Sequence, residues 1–316
     1  GSGTVHDATR YVAHARGIPF LSVPTAASVD GFVSTVAAMT WYGYKKTTPA
    51  VAPLYVVADS AIFAKAPYRL TASGIADLLG KYTALADWRI AHRVTGEYLC
   101  ERVCSLQERA MQEVRQHLDD IVAGEESACE ALMYGLLLSG LAMQMVGNSR
   151  PASGCEHHMS HLWEMEAING HVDAYHGEKV GVGLVACAAV YHRIADAIRA
   201  GQVHVRPYPG VEGALLRDSF QKEEVYQQIV AENTPDPLET VDPERLEAAL
   251  PDIATLLDAV PSAADLAATL TRARAMQTLA DLGLPEDLLT PSLRLSPYVR
   301  KRLTLMRLIK RLDFDL

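Results

Sequence analysis

Gly154-Cys155-Glu156-His157-His158-Met159-Ser160-His161, followed by Asp173-Ala174-Tyr175-His176-Gly177-Glu178-Lys179, decides how this chain is read. Five of its eleven histidines lie between positions 157 and 176. Imidazole is the commonest protein ligand for zinc-like divalent ions. His157 and His161 are spaced so that on a helix they share a face. His176 follows a break at Asn169-Gly170 and precedes a new helix start, so histidines from two elements could meet at one ion. Two helix-borne imidazoles and one carboxylate would leave a coordination position free for substrate, which points to catalysis rather than scaffolding. The carboxylate is expected from another helix. Gly74-Ile75-Ala76-Asp77-Leu78-Leu79-Gly80-Lys81 offers Asp77 among apolar neighbours, where a lone aspartate would otherwise be costly to bury.

Around this cluster the pattern is helical. Periodicity predicts helices over Thr71 to His92, Glu97 to Ala123, Ser127 to Gly147, His157 to Ile168 and Lys179 to Ala200, with more to the end. The opening Gly1-Ser2-Gly3-Thr4-Val5-His6-Asp7 reads as a glycine-rich loop entering a helix that runs to about Arg16. Such loops bring backbone amides to a pyrophosphate at the positive helix end. Ile18 to Val23 and Leu54 to Asp59 read as short buried strands. With a helix between them they would form a parallel α/β sheet, whose ligands bind beyond the carboxyl ends of the strands. Thr25, Ser28 and Asp30 lie at such an end. The expected division is therefore an α/β nucleotide-binding part at 1–65 and an all-helical part at 66–316. A phosphate loop follows a strand and none precedes this one, so the nucleotide-binding part is expected to be truncated at its start.

The chain has 316 residues, 49% of them hydrophobic, and can bury a substantial core. A net charge of -9 would repel a phosphodiester backbone, so nucleic acid is not an expected partner. An anionic substrate must be held by a local basic pocket or by helix-start amides. Cys100, Cys104, Cys129, Cys155 and Cys187 form no disulfide framework, which fits a reducing cytoplasm and buried packing. The long uncharged stretch Ala131 to Arg150 contains glycines, a serine and a glutamine; a buried core helix, not a membrane span, is expected. Arg206 to Pro251 reads as a helical excursion, and the basic stretch Val299 to Arg311 as docking on the core.

Taken together, the chain resembles the iron-type, group III alcohol dehydrogenases, which share the dehydroquinate synthase-like architecture, and among them the sn-glycerol-1-phosphate dehydrogenases. The resemblance rests on Gly1-Ser2-Gly3-Thr4, on Pro24 to Phe32, on Ala76 to Trp88, on Ser153 to His161, on His176 to Gly181 and on Leu295 to Arg300. It implies an α/β nucleotide-binding domain followed by an all-α metal-binding domain. It also implies that Asp77, His157 and His176 bind one divalent ion (zinc, nickel or iron). Asp30 and His161 would contact substrate, and Gly3, Thr4, Asp7, Thr25, Ser28 and Ser34 would hold NAD(H) or NADP(H). The implied reaction interconverts dihydroxyacetone phosphate and glycerol 1-phosphate in a cytoplasmic homodimer or higher homo-oligomer. A divalent ion would polarise the ketone or stabilise the alkoxide.

Two other functions fit the same residues: oxidation of an uncharged polyol such as glycerol, and a non-catalytic helical module without a working cofactor pocket. Asp30 alone could be a turn former before Gly31. His158 and His171 are expected at the surface or behind the ligands. Lys45, Lys46, Lys81 and Lys179 are candidates to neutralise a substrate phosphate, with a solvated face as the alternative for each.

Overall fold

A computed structural model describes residues 1–316. Helix α1 (Gly3–Arg16) ends where Gly17, at φ 62°, turns left-handed and caps the carbonyls of Ala13 and His14. Strand β1 (Leu21–Ser22) pairs in parallel with β4 (Tyr55–Val56), Leu21 opposite Tyr55. The parallel pairing is as expected, but each strand is only two residues long. No helix separates them. A 3-10 turn (Gly31–Val33) leads instead into an antiparallel hairpin, β2 (Val36–Trp41) and β3 (Tyr44–Pro49). Tyr42 and Gly43 make its two-residue turn with φ of 51° and 85°, the primed geometry that matches strand twist. A tyrosine in the first left-handed position hides this hairpin from a search for Asn-Gly signals.

The rest is helical: α2 (Ser60–Phe63), α3 (Tyr68–Leu79), α4 (Lys81–Thr95), α5 (Glu101–Gln116), α6 (Leu118–Ala123), α7 (Glu126–Val146), α8 (Cys155–Glu164), α9 (His176–Arg199), α10 (Gly213–Ser219), α11 (Glu223–Glu232), α12 (Pro243–Leu257), α13 (Ala263–Arg272), α14 (Leu289–Leu295) and α15 (Leu305–Leu308). The helix expected over 71–92 divides at Gly80. A Cβ there would come within 2.7 Å of Val180 Cγ1, so the glycine lets α9 cross close to the α3–α4 junction. The one expected over 97–123 divides at His117.

Helix α9 is the axis of the main core and packs against α3, α8, α12 and α13; α7 packs against α3, α5 and α6. Both are long and apolar enough to cross a membrane by length and composition, and both bury half or more of that apolar stretch against other helices, although Tyr134, Leu141 and Met145 of α7 are exposed. The 206–251 excursion is helical as expected. Leu216, Phe220, Val225 and Ile229 from its helices form a smaller core with Tyr44, Leu162 and Tyr298. The basic stretch docks on the body, though as a short helix between 3-10 turns and not one amphipathic helix. Arg307 is wholly buried there, donating to Asp236 at 3.1 Å and Asn233 at 2.6 Å. All five cysteines are free thiols.

Candidate active site

Small residues bring the site together. Gly74 lies so close to the loop after β1 that a Cβ would sit 2.0 Å from the Ala27 carbonyl oxygen. Ser73 Oγ donates to the Ser28 carbonyl at 3.2 Å, and the Asp30 N–H donates to Asp77 Oδ2 at 3.0 Å. On the other side of α3, a Cβ on Gly177 would lie 1.9 Å from the Ser73 carbonyl oxygen. Helix α3 is thus held between the loop carrying Asp30 and the start of α9 carrying His176.

Asp77, His157 and His176, from α3, α8 and α9, bring one ligand atom each to within 4.8 Å of one another. His157 Nε2 lies 3.3 Å from Asp77 Oδ1, close to the separation of about 3.4 Å expected for donors about 2.1 Å from a tetrahedral ion. His157 Nδ1 meets Glu156 Oε1 at 2.6 Å, and His176 Nδ1 meets Glu164 Oε1 at 2.7 Å. A carboxylate on Nδ1 fixes the proton there, which leaves each Nε2 lone pair free to ligate, that of His157 beside Asp77. This donor set fits a divalent cation. Burial pushes the Asp77 carboxyl up, but the Lys81 ammonium and the His157 hydrogen bond outweigh it and hold it well below the usual range. Burial likewise opposes ionisation of Glu164, and His176 and Lys45 reverse that.

Lys81 does not face the cleft. Wholly buried, its Nζ lies 2.9 Å from Asp77 Oδ1 and 2.8 Å from Asp30 Oδ2, so it ties two site carboxylates together and is unavailable to a phosphate. Asp30 Oδ2 also accepts from Ser139 Oγ at 2.8 Å. The other lysines are similarly committed or remote: Lys45 pairs with Glu164 at 2.9 Å, Lys179 Nζ donates to the Ala174 carbonyl, and Lys46 lines a separate surface groove.

His161 is buried one turn beyond His157, its ring centroid 5.4 Å from that of His176. Arg300, which the sequence places in a basic stretch docked on the core, donates from Nη2 to His161 Nδ1 at 3.1 Å. That donation requires a lone pair on Nδ1, so the neutral ring carries its proton on Nε2 and presents a donor, not a ligand atom. Burial, reinforced by Arg300, holds its pKa well below the ordinary value. His158 is not at the surface: it is wholly buried, and neither ring nitrogen has a partner. His171 is exposed.

A cleft of about 480 Å³ joins these groups to the amino-terminal part. Asp30, His157, His161, His176 and Arg300 line it, and so do Gly3, Thr4, Asp7, Ser28 and Ser34. Thr25 is outside it, exposed, its N–H donating to the Gly1 carbonyl. Ser28 Oγ is buried without a partner, and Ser2 makes no side-chain cap to α1. The first turn of α1 therefore brings uncapped amides to the cleft, a fit for pyrophosphate. Asp7 is partly spent on the Ala38 N–H at 3.3 Å and on Arg10 at 3.8 Å, and Ser34 on the Val36 N–H at 3.1 Å.

The α/β start and the helical body are the architecture of group III alcohol dehydrogenases. Solved relatives share it: 1,3-propanediol oxidoreductase, with a TM-score of 0.62 at 18% identity, covering 97% of this chain and 72% of that one, and NADH-dependent butanol dehydrogenase A of Thermotoga maritima, with a TM-score of 0.58 at 14% identity, covering 98% and 68%. A family profile described as iron-containing alcohol dehydrogenase matches residues 1–67. The chain is 36% identical over 316 residues to a glycerol-1-phosphate dehydrogenase [NAD(P)+] of Geobacillus stearothermophilus, covering 99% of this chain and 71% of that one. It is 34% identical over 307 residues to the enzyme of the same name from Halalkalibacterium halodurans, covering 97% and 69%. The chain belongs to the glycerol-1-phosphate dehydrogenase family of the iron-containing alcohol dehydrogenases.

Proposed function

We propose that the cleft interconverts dihydroxyacetone phosphate and glycerol 1-phosphate with NAD(P)(H), with residues 1–65 serving the cofactor and 66–316 the ion and substrate. The observation that carries this reading is the convergence of Asp77, His157 and His176, each imidazole backed by a carboxylate, on the cleft that α1's first turn also lines. These three residues would hold the divalent ion, which supplies Lewis-acid polarisation of a carbonyl or alcohol oxygen. Ser28 and the opening amides of α1 would hold the nicotinamide cofactor. Asp30, kept in place by Lys81 and Ser139, borders the substrate position, and His161 donates its Nε2–H to a substrate oxygen. A ketone accepts a hydride and a proton in the reduction, and these side chains orient the oxygen that receives the proton. Five free thiols suit a reducing cytoplasm, and a homo-oligomer is the proposed assembly.

The test is NAD(P)H oxidation by the purified protein with dihydroxyacetone phosphate, after chelation and after return of zinc, nickel or ferrous ion. Activity that is lost and then restored, with a strong preference for the phosphorylated ketone, is expected. Equal turnover of dihydroxyacetone would make this a polyol dehydrogenase. Absence of cofactor binding at millimolar levels would leave a non-catalytic module.

A further inference from the structure

Four guanidiniums, Arg150, Arg300, Arg302 and Arg307, surround the buried His158, and two of them lack a counter-ion; Arg300 is the one that reaches the cleft, beside His161. Arg150 pairs with Glu97, and Arg307 pairs with Asp236 at 3.1 Å. Arg300 and Arg302 have no carboxylate within 4.0 Å; their partners are neutral. Arg300 donates to His161 Nδ1 at 3.1 Å and to Ser149 Oγ at 3.3 Å. Arg302 donates to the Ser153 carbonyl at 2.6 Å and to Ser149 Oγ at 2.9 Å. Burial lowers the pKa of both, and that of Arg302 falls further because Arg150 and Arg300 stand beside it. Desolvated cations without an anion are costly to maintain.

The hydroxyls nearby point the same way. Ser149 Oγ receives two guanidinium donors, so its lone pairs are occupied and its own O–H is free to donate. Ser153 Oγ, in a side chain only 5% exposed, has no partner at all. Arg300, Ser149 and Ser153 all line the cleft. A phosphate monoester supplies what this corner lacks: a dianion with several acceptor oxygens.

We propose that Arg300, Ser149 and Ser153 seat the phosphate of the substrate, with Arg302 as a positioning residue that holds Ser149. The proposal rests on the phosphorylated-ketone reading above. Because Arg300 also touches His161, the informative quantity is the ratio of kcat/KM for dihydroxyacetone phosphate to that for dihydroxyacetone, measured alongside calorimetric binding of inorganic phosphate. Arg300→Met should lower the ratio about 100-fold and Ser153→Ala about tenfold, in both cases through KM for the phosphorylated ketone. Arg300→Lys should recover part of the loss, and phosphate binding should weaken in parallel. Ser153→Ala is a small change that keeps the test decisive should Arg300→Met not fold. A protein that prefers the phosphorylated ketone, with Ser153→Ala and Arg300→Lys both keeping the wild-type ratio and phosphate affinity, would overturn the proposal and leave the function standing. A wild-type protein without that preference would overturn both.

Discussion

Gly177→Ala tests whether helix contact sets the ion site. The new Cβ would lie 1.9 Å from the Ser73 carbonyl oxygen, 2.7 Å from its carbon and 2.7 Å from Oγ. The hydroxyl can rotate away; the carbonyl belongs to the backbone of α3 and cannot. An ordinary contact needs about 3.2 Å, so α3 and the start of α9 must part by about 1.3 Å. Those helices carry Asp77 and His176, and a protein metal site tolerates only about 0.2 Å of error in ligand distances. Forced overpacking costs about 1 to 3 kcal/mol, a fall of roughly 2 to 5 °C in Tm for a chain of this size. Zinc affinity should drop about 10- to 100-fold, read by competition with a chromogenic chelator, with thermal melting in parallel. Gly213→Ala is the control, since nothing lies within 4 Å of its Cβ position. The reasoning is refuted if Gly177→Ala melts lower as expected yet binds zinc within about twofold of the wild type.

Glu164→Gln should weaken zinc binding about 10- to 100-fold by removing the carboxylate that orients His176; unchanged chelator competition would count against that orienting role. Arg307→Met should cost about 3 to 5 kcal/mol in urea unfolding, because Asp236 is left buried and unpaired, and Arg307→Met with Asp236→Leu should recover part of it. Lys310 donates to Glu212 at 2.6 Å beneath the Tyr298 ring, and burial lowers its pKa to about 8. The unfolded chain therefore binds more protons between that value and about 10.4, and stability gains as pH rises through the window, by at most about 3 kcal/mol. Lys310→Met should flatten that rise in denaturation curves taken at pH 7.5, 9 and 10.5; an unchanged slope would show that Lys310 is not its source.

The convergence of Asp77, His157 and His176 was legible because its signal is chemical and local: clustered imidazoles, a helix break before His176, and an aspartate stranded among apolar residues. The long core helices were legible from periodicity. What escaped depends on partners far apart in the sequence. Lys81 looks like any helical lysine until Asp30 is brought back across α3. Arg300 sits in a basic stretch that suggested docking, and only its approach to His161 and Ser149 moves it into the cleft. Glu156 adjoins His157 in the sequence, so its role was readable from the rule that ligating imidazoles use their second nitrogen on a carboxylate; Glu164 meets His176 only through the fold. The surface alternative for His158 fails because helical phase alone puts it aside from His157, whereas α8 is buried from Cys155 to Trp163.

Charge balance ties the ion to the substrate. At the proposed ion site, four carboxylates (Asp30, Asp77, Glu156 and Glu164) face two ammoniums, Lys45 and Lys81, which leaves two negative charges that a divalent cation would neutralise. In the adjoining corner, Arg300 and Arg302 leave two positive charges, about what a phosphate monoester carries at neutral pH. His161 sits between the two regions as a neutral ring, in contact with Arg300 and beside His176. A chain with net charge -9 repels an anionic ester at a distance, and salt screens that repulsion within about 10 Å. Recognition therefore rests on groups the ester can touch. The same separation of charge accounts for the lysine pairings: were Lys45 or Lys81 drawn away from its carboxylates, the ion site would carry more negative charge than a divalent cation neutralises, and the ester would have a second cationic position competing with the one beside His161.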